Sequence, residues 1–542
     1  MPNDTQNPPG ISIIVTCRNE TANLRRCLER YADCWAKAHA EVIVIYAGER
    51  AELASVMQQF EITAWIAMAR GTLSSDLRRI GFERSSRDIV VFLDDDDQDR
   101  QEWSASLFRN WSGWTDTGGR VINAPRCGAE SDDQQRYPYL SVVLPVHNGG
   151  PRLLLALQSL ALTNLPRSAW ELVVVDDASS DESAIVAAQY ADRILRLRHG
   201  PYGPGYARNR GFELTLGECV AFVNADVMVE TDTLRNAVTV LTTHPDVGAV
   251  FGSCDASAMT PGFLSDYRSL VQRYYHRSTA DDAFTFSSAC GVIRSSVFES
   301  AGGYDEWHFA RRQLEDFELA QRIRSLGERI ILDTGIRAAR LRKWTLRRMI
   351  ATEIFGLSVP RMRLKAPQRR QDLGWLDRAL TRKTANIVLS WLAAILAAVA
   401  WPKHNTPASL GALACVIIVA VNNAAELAFF ARERGIGFAV LSLPLDVLYY
   451  LIAGIGVVFG WIARQALGEP TPGAVTEAFV EMGTKRWPPV PVKRLGRSSF
   501  VAPTATAESS GLADIPLLPH NQAASNENGI QKPFGDRRDV RA

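Results

Sequence analysis

Leu140-Ser-Val-Val-Leu-Pro-Val-His-Asn148, Val173-Val-Val-Asp176-Asp177 and Phe222-Val-Asn224-Ala225-Asp226 are short apolar runs, each of which stops at polar residues. A continuous apolar run bounded by turn residues reads as a strand buried on both faces. Helix-like segments separate the runs, and the alternation continues to about Leu332, which predicts a parallel α/β sheet. Ligands of such sheets collect at the carboxyl ends of the strands. Asp176, Asp177, Asn224 and Asp226 are therefore candidate site residues, although Asp after a strand is also simply a good turn residue.

The same pattern occurs earlier in the chain. Ile11-Ser-Ile-Ile-Val-Thr-Cys-Arg-Asn19 matches Leu140 to Asn148, Glu41-Val-Ile-Val-Ile45 matches Glu171-Leu-Val-Val-Val175, and Ile89-Val-Val-Phe-Leu-Asp94 matches Cys219-Val-Ala-Phe-Val-Asn224. Gly81-Phe-Glu83 likewise matches Gly211-Phe-Glu213, so the offset holds at 129 to 130 throughout. Each copy reads as strand, helix, strand, helix, strand. The first has Tyr46-Ala47 where the second has Asp176-Asp177, and Arg79-Ile80 in place of Asn209-Arg210. It keeps the acidic run from Asp94 to Asp97 but lacks any later half, and is expected to be a degenerate half-domain that packs on the second copy.

Two further motifs follow in the second copy. Gly203-Pro-Gly205-Tyr-Ala-Arg208-Asn209-Arg-Gly211 opens a helix; its glycines admit a phosphate-bearing ligand, and Arg208 is placed to pair with one. It is not a dinucleotide fingerprint. Glu315-Asp316 opens another helix after Gly302-Gly303-Tyr304-Asp305. Carboxylates at a helix start serve the dipole, and equally suit a general base.

In this order and combination the motifs from Tyr139 to Thr345 resemble the family 2 glycosyltransferases of the GT-A fold. The resemblance implies that Asp176 and Asp177 contact the nucleotide of a nucleotide-sugar donor, that Asp226 holds Mg²⁺ or Mn²⁺, and that Asp316 is the catalytic base; Arg208 and Asn224, from their places in the motifs, are carried as further donor contacts. One base suffices for a single displacement that inverts the anomeric carbon. Where many relatives place a His, this chain has Arg340, in Arg340-Leu-Arg-Lys343-Trp344-Thr345. A guanidinium has no lone pair to offer a metal. Glu315, Arg340, Lys343 and Trp344 are carried as acceptor or diphosphate contacts.

The remaining chain is uneven. Its 542 residues carry a formal net charge of +1, which argues against a nucleic-acid binder held by bulk electrostatics. Eight cysteines without a C-x-x-C pair exclude a disulfide scaffold or zinc ribbon. Between Ile336 and Ala385, however, 14 Lys or Arg face three acidic residues, and Leu346, Met349, Ile350, Ile354 and Leu357 recur at helical spacing. That pattern suits an amphipathic helix on an anionic membrane face. Ile387 to Trp401, Leu410 to Val421 running on to Phe430, and Phe438 to Ile462 are each near the ~20 residues that cross a bilayer. Trp391, Trp401 and Trp461 are placed as interfacial anchors, while Pro444 and Asp446 interrupt the third run and Glu426 follows the second. The basic belt puts the N-terminal mass on the cytoplasmic side, where the polar, Pro-rich Met1 to Gly10 lacks the features of a secretory signal. Beyond Glu469 lie nine of the 26 prolines and no apolar period, which predicts a disordered tail.

The expected organisation is a degenerate half-domain (1–109), a linker (110–138), a GT-A catalytic domain (139–345), a basic interfacial segment (346–385), two or three transmembrane helices (386–465) and the tail (466–542). The expected function is transfer from a nucleotide-sugar donor to a lipid-linked or cell-surface glycan acceptor, by a multi-pass inner-membrane protein in contact with membrane lipids. A processive polysaccharide synthase and a non-catalytic membrane scaffold are the alternatives.

Overall fold

The computed structural model describes residues 10–467 apart from 19–20, 38, 95–127, 130–136, 199, 254–261, 278–282, 284, 307–313, 342–343, 360–373 and 404–405. Asp95 to Asp97, most of the expected linker, Lys343 and the tail from Glu469 lie outside the described residues.

The first copy supplies β1 (Ile11–Cys17), β2 (Glu41–Ala47), β3 (Ala64–Met68) and β4 (Ile89–Asp94). A short antiparallel pair, β5 (Gly128–Ala129) and β6 (Tyr137–Pro138), precedes the second copy. There follow β7 (Leu140–Val146), β8 (Trp170–Asp176), β9 (Arg193–Arg196) and β10 (Cys219–Val223), then β11 (Val227–Val229), β12 (Val247–Ser253), β13 (Cys290–Arg294) and β14 (Arg329–Arg340). Twelve of these form one sheet in the order β11-β14-β12-β13-β10-β7-β8-β9-β4-β1-β2-β3.

The duplication is explicit in this order: β10-β7-β8-β9 repeats β4-β1-β2-β3, with all pairs inside each set parallel. Side chains that bind the strands repeat as well. Ser12 donates to Glu41 at the foot of β1, and Glu41 also accepts from the Ser86 N–H at 2.8 Å. Ser141 donates to Glu171 at 2.5 Å, and Glu171 accepts from the Leu216 N–H at 2.9 Å. Each copy also holds a fourth strand, β3 or β9, absent from the strand-helix-strand-helix-strand reading of the sequence. Arg193-Ile-Leu-Arg196 alternates charged ends with an apolar middle and gives no sustained run.

The expected all-parallel sheet is mixed. β4–β9, β10–β13, β12–β13 and β11–β14 are antiparallel. The first of these joins the copies edge to edge, with Ile89 opposite Leu195 and Val91 opposite Arg193. An edge strand left open presents unpaired N–H and C=O groups; here β4 covers β9. Arg196 locks the seam, donating to Phe82 O at 3.0 Å, Ser85 O at 3.1 Å and Ser85 Oγ at 2.9 Å. Arg78 answers from the other side with a bond to Ala191 O at 3.2 Å. Helices cover both faces, so alternate residues of each strand feed two cores. Ile13, Val44, Val91, Val143 and Val175 belong to one, and Ile14, Ile43, Val90, Val142 and Val174 to the other.

Beyond β14 lie the helix Leu346–Ala351, a π-helical turn Thr352–Ser358, and the helices Gly374–Lys403, Thr406–Asn422, Ala424–Arg434 and Ile436–Leu467. Arg382–Ala400 and Ile436–Ala466 are long and apolar enough to cross a membrane. The second apolar run, read as continuing to Phe430, bends instead by 70° after Asn422. The bend is polar: Asn422 donates to Asn386 of the preceding helix at 2.7 Å, and Asn423 accepts from it at 3.0 Å. Beyond the bend, Ala424–Arg434 packs on Phe263–Arg277, a helix of the second copy. Arg273–Glu433 (2.9 Å) and Arg434–Asp266 (3.2 Å) flank the contact, while Tyr267 stacks edge-on to Phe430.

Candidate active site

The polar ends of β7, β8 and β10 converge at one end of the sheet. After β7, Asn148 sits at φ +50 and ties the neighbouring loop down by accepting from the Ser180 N–H at 2.9 Å. After β8, Asp176 accepts from the Ser179 N–H at 3.1 Å. Both oxygens of Asp177 are taken by the backbone N–H groups of Tyr202 and Gly203, each at 2.8 Å. Burial raises the pKa of both carboxyls, offset in Asp176 by Ser179 and Arg196 and in Asp177 by the two amides. Asp177 thus fixes the loop that starts the helix Pro204–Glu213.

That helix carries the central cation. Arg208 is 3% exposed and donates to Asn224 Oδ1 at 3.0 Å. It lies 3.6 Å from Glu315 and 5.1 Å over the Tyr304 ring. Burial opposes its charge, but the carboxylates of Asp316 and Glu315 outweigh that and raise its pKa. Its Nε and Nη1 make no hydrogen bond among the described residues. The next residue, Asn209, clamps the Gly302-Gly303-Tyr304 loop, donating to Tyr304 O at 2.9 Å and accepting from the Tyr304 N–H at 2.8 Å. Gly303, at φ +73, leaves no room there for a side chain: an added Cβ would stand 2.7 Å from Asn209 Oδ1.

Glu315 and Asp316 begin the helix Glu315–Ser325, as the sequence indicates. Asp316 Oδ2 accepts from the N–H and the Oγ of Ser288, both at 3.0 Å, and Oδ1 faces the Tyr304 hydroxyl at 3.4 Å. Burial, then Asp316, raises the Tyr304 pKa well above the usual phenol range, so Tyr304 remains a neutral donor. Ser288, which no motif singled out, therefore orients the carboxylate from the start of β13. Tyr304 stood inside a quoted motif, but its role depends on the loop geometry.

Asp226 sits in the turn from β10 to β11, half-buried, and its carbonyl accepts from the Leu341 N–H at 2.8 Å. Arg340 ends β14 opposite Val227, so Arg340 and Asp226 lie side by side. Asn224 gives its oxygen to Arg208. No group of three or more His, Cys, Asp or Glu suited to a metal occurs among the described residues. The donor set fits a hard divalent ion that brings diphosphate oxygens with it, since such an ion needs only one or two protein carboxylates. Trp344 is not part of this cluster. Its backbone N–H donates to Ser265 Oγ at 3.0 Å, and its ring lies under Arg268.

A largely parallel α/β sheet with carboxylates at its strand ends, and a second acidic pair at the start of the helix Glu315–Ser325, defines the class of the molecule. The profile of glycosyl transferase family 2 matches residues 12–124 and 141–302, half of the chain, and the chain belongs to that family. The chain is similar to the poly(ribitol-phosphate) beta-N-acetylglucosaminyltransferase TarS of Staphylococcus aureus, 32% identical over 108 residues that make up 19% of each protein. It is also similar to the probable glycosyltransferase YdaM of Bacillus subtilis, 24% identical over 37% of this chain and 50% of that one. The match thus spans about a fifth and a half of these two relatives. Among solved structures, a mannosyltransferase of Pyrobaculum calidifontis in complex with GDP-mannose and Mn²⁺ aligns over 73% of this chain and 100% of its own, at 19% identity and a TM-score of 0.35.

Proposed function

We propose that the chain is an inverting glycosyltransferase that moves a sugar from a nucleotide-sugar donor to a lipid-linked or cell-surface glycan acceptor at the cytoplasmic face of a membrane. The observation that carries the reading is the connected group Ser288–Asp316–Tyr304–Arg208–Asn224, with Glu315 beside it. It brings a carboxylate up to a buried cation on the helix whose start is fixed by Asp177, which supports reading them as base and diphosphate contact.

In this reading the loops after β7 and β8 receive the nucleoside, with Asp176 at their base and Asp177 holding the Tyr202–Gly203 turn. Arg208 and Arg340 face the diphosphate. Asp226 is the residue that would hold Mg²⁺ or Mn²⁺ against it; such an ion neutralises charge developing on the leaving diphosphate. Asp316 takes the proton of the acceptor hydroxyl as its oxygen attacks the anomeric carbon from the face opposite the diphosphate. Ser288 and Tyr304 keep the carboxylate aimed at that hydroxyl, and positioning of this kind supplies much of a general base's effect. Arg340 offers charge in place of a lone pair and so favours a direct contact with phosphate oxygens.

A glycan acceptor at a membrane suits a catalytic sheet docked on apolar helices, and the relative TarS is named for a poly(ribitol-phosphate) acceptor. The test is a screen of sugar nucleotides against purified full-length protein in detergent with Mn²⁺, following release of nucleoside diphosphate. One donor should be hydrolysed in a divalent-dependent manner. If none is hydrolysed, and none binds by calorimetry, the catalytic reading fails and the scaffold reading takes its place.

A further inference from the structure

Arg268, on the helix Phe263–Arg277, has no part in the cleft. Its guanidinium carbon lies 4.9 Å over the Trp344 ring and 6.0 Å from the ring of Tyr449, and it has no hydrogen bond or ion pair among the described residues. Lys383 approaches the same phenol from the opposite element, donating to Tyr449 Oη at 2.7 Å with its ammonium 4.8 Å from the ring. Its charge is answered by Glu353 at 3.5 Å. The Arg268 charge is not, because the nearby acids are engaged: Asp266 pairs with Arg434, Glu433 with Arg273, and Asp446 accepts from Tyr267. Arg347 and Arg348 are exposed alongside, on the helix that begins two residues beyond Trp344.

This cation stands at a particular level. Lys383 is at the start of the Arg382–Ala400 apolar stretch, and Tyr449 belongs to Ile436–Ala466. Tyr449 lies within that helix at the level of Lys383, so a half-buried guanidinium over these aromatic rings stands level with the start of the Arg382–Ala400 stretch, where a headgroup layer would meet its N–H fork. Such a fork matches phosphate oxygens in a way an ammonium does not.

We infer that Arg268, held by Trp344 and Tyr449 beside Lys383, is a binding site for a lipid-borne phosphate at the membrane face. Trp344 lies four residues beyond Arg340, no more than about 14 Å of extended chain. A phosphate held at Arg268 would set the headgroup of a lipid-linked acceptor close to the transfer cleft. The inference rests on the membrane-facing part of the proposed function but is read without sugar transfer.

Full-length protein is reconstituted in phosphatidylcholine nanodiscs doped in one arm with phosphatidylglycerol and in another with a polyprenyl phosphate, then exchanged into pure phosphatidylcholine. Lipid retained on the protein is measured by mass spectrometry. The wild type should retain at least one of the two, and Arg268→Gln should retain roughly tenfold less, the effect of losing a charge-assisted bond. Arg152→Gln, an exposed residue on the helix Pro151–Ala161, should match the wild type. Arg268→Lys keeps the charge without the flat fork, and should fall between; it carries the test if the Gln variant is unstable. Equal retention by wild type and both Arg268 variants overturns the inference. So does displacement of the lipid by inorganic phosphate, which would make this a site for free phosphate. Intact retention in a protein that hydrolyses no donor would sink the catalytic reading and leave this one standing.

Discussion

Asp316 is gripped by two donors from one serine and faces a tyrosine hydroxyl, and this decides what its amide should do. Asp316→Asn can keep one acceptor toward the Ser288 N–H, so the helix start survives, but the proton acceptor is gone. Turnover should fall at least about a hundredfold while donor affinity stays at the wild-type value. Transfer near the wild-type rate would reduce Asp316 to a helix cap. Asp226→Ala addresses the other side of the cleft. Calorimetry should find nucleoside diphosphate binding that no longer responds to Mn²⁺, with the divalent-independent part, carried by Arg208 and Arg340, preserved. The acidic and basic residues of this cleft were legible because their motifs sit at strand ends and helix starts, where position in sequence maps onto position in space. Ser288 was not, since a serine among Phe286-Ser-Ser-Ala-Cys290 acquires its role only when β13 comes to lie beside the Glu315 helix. The use of both Asp177 oxygens on a backbone turn was equally invisible, because the sequence has no way to display the amides that face a side chain.

The repeated elements tell how the first copy diverged. In the second copy Arg208 meets Asn224; at the corresponding positions of the first, Arg78 meets Asp94 at 3.2 Å, and Thr16 donates to the same carboxylate. The polar position at the end of β4 is thus closed by an internal ion pair, and Tyr46, where β8 has Asp176, is buried and donates to Glu52 at 2.8 Å. Asp94→Ala should leave Arg78 buried without its partner and lower stability by about 2 kcal/mol in a denaturant melt, with donor affinity unchanged. Asp94→Asn, which copies the second half, should recover most of the loss. Equal stability of all three proteins would mean that Arg78 is satisfied by Ala191 and Phe92 alone. Strand identity was readable wherever the apolar run was unbroken. β3 and β9 escaped because each is too short to show a sustained apolar run, Ala64-Trp-Ile-Ala-Met68 at the sheet edge and Arg193-Ile-Leu-Arg196 between charged ends, and the antiparallel seam of β9 with β4 depends on two segments about a hundred residues apart.

At the scale of the whole molecule, the described residues join the sheet to the apolar helices through polar contacts and through a buried cluster of Tyr267, Leu270, Met349, Phe430 and Ala439. The apolar stretches predict a protein that stays with membranes through a carbonate wash; a full-length chain released into the supernatant would refute the spans. What the sequence could not provide is how these helices meet the sheet, because that depends on the bend at Asn423 and on which helix it turns toward. The deepest of the contacts is Tyr267, whose hydroxyl donates to Asp446, and Asp446 accepts in turn from Asn423 Nδ2 at 3.4 Å. Burial, then Asp446, raises the Tyr267 pKa well above the phenol range, so the hydroxyl keeps its proton and acts as donor. A carboxylate among apolar helices is costly unless paired, which ties the position of Phe263–Arg277 to that of Ile436–Leu467. Tyr267→Phe and Asp446→Asn should each lower stability in detergent, and together by less than the sum, with a coupling of about 1 to 2 kcal/mol. Hydrogen exchange in Tyr267→Phe should rise in Phe263–Arg277 and Ala424–Arg434, yet remain unchanged in β7 and β8. Additive losses would show that the two residues act independently. The sheet would then be held on the helices by the Arg273–Glu433 and Arg434–Asp266 pairs and the apolar cluster around Phe430.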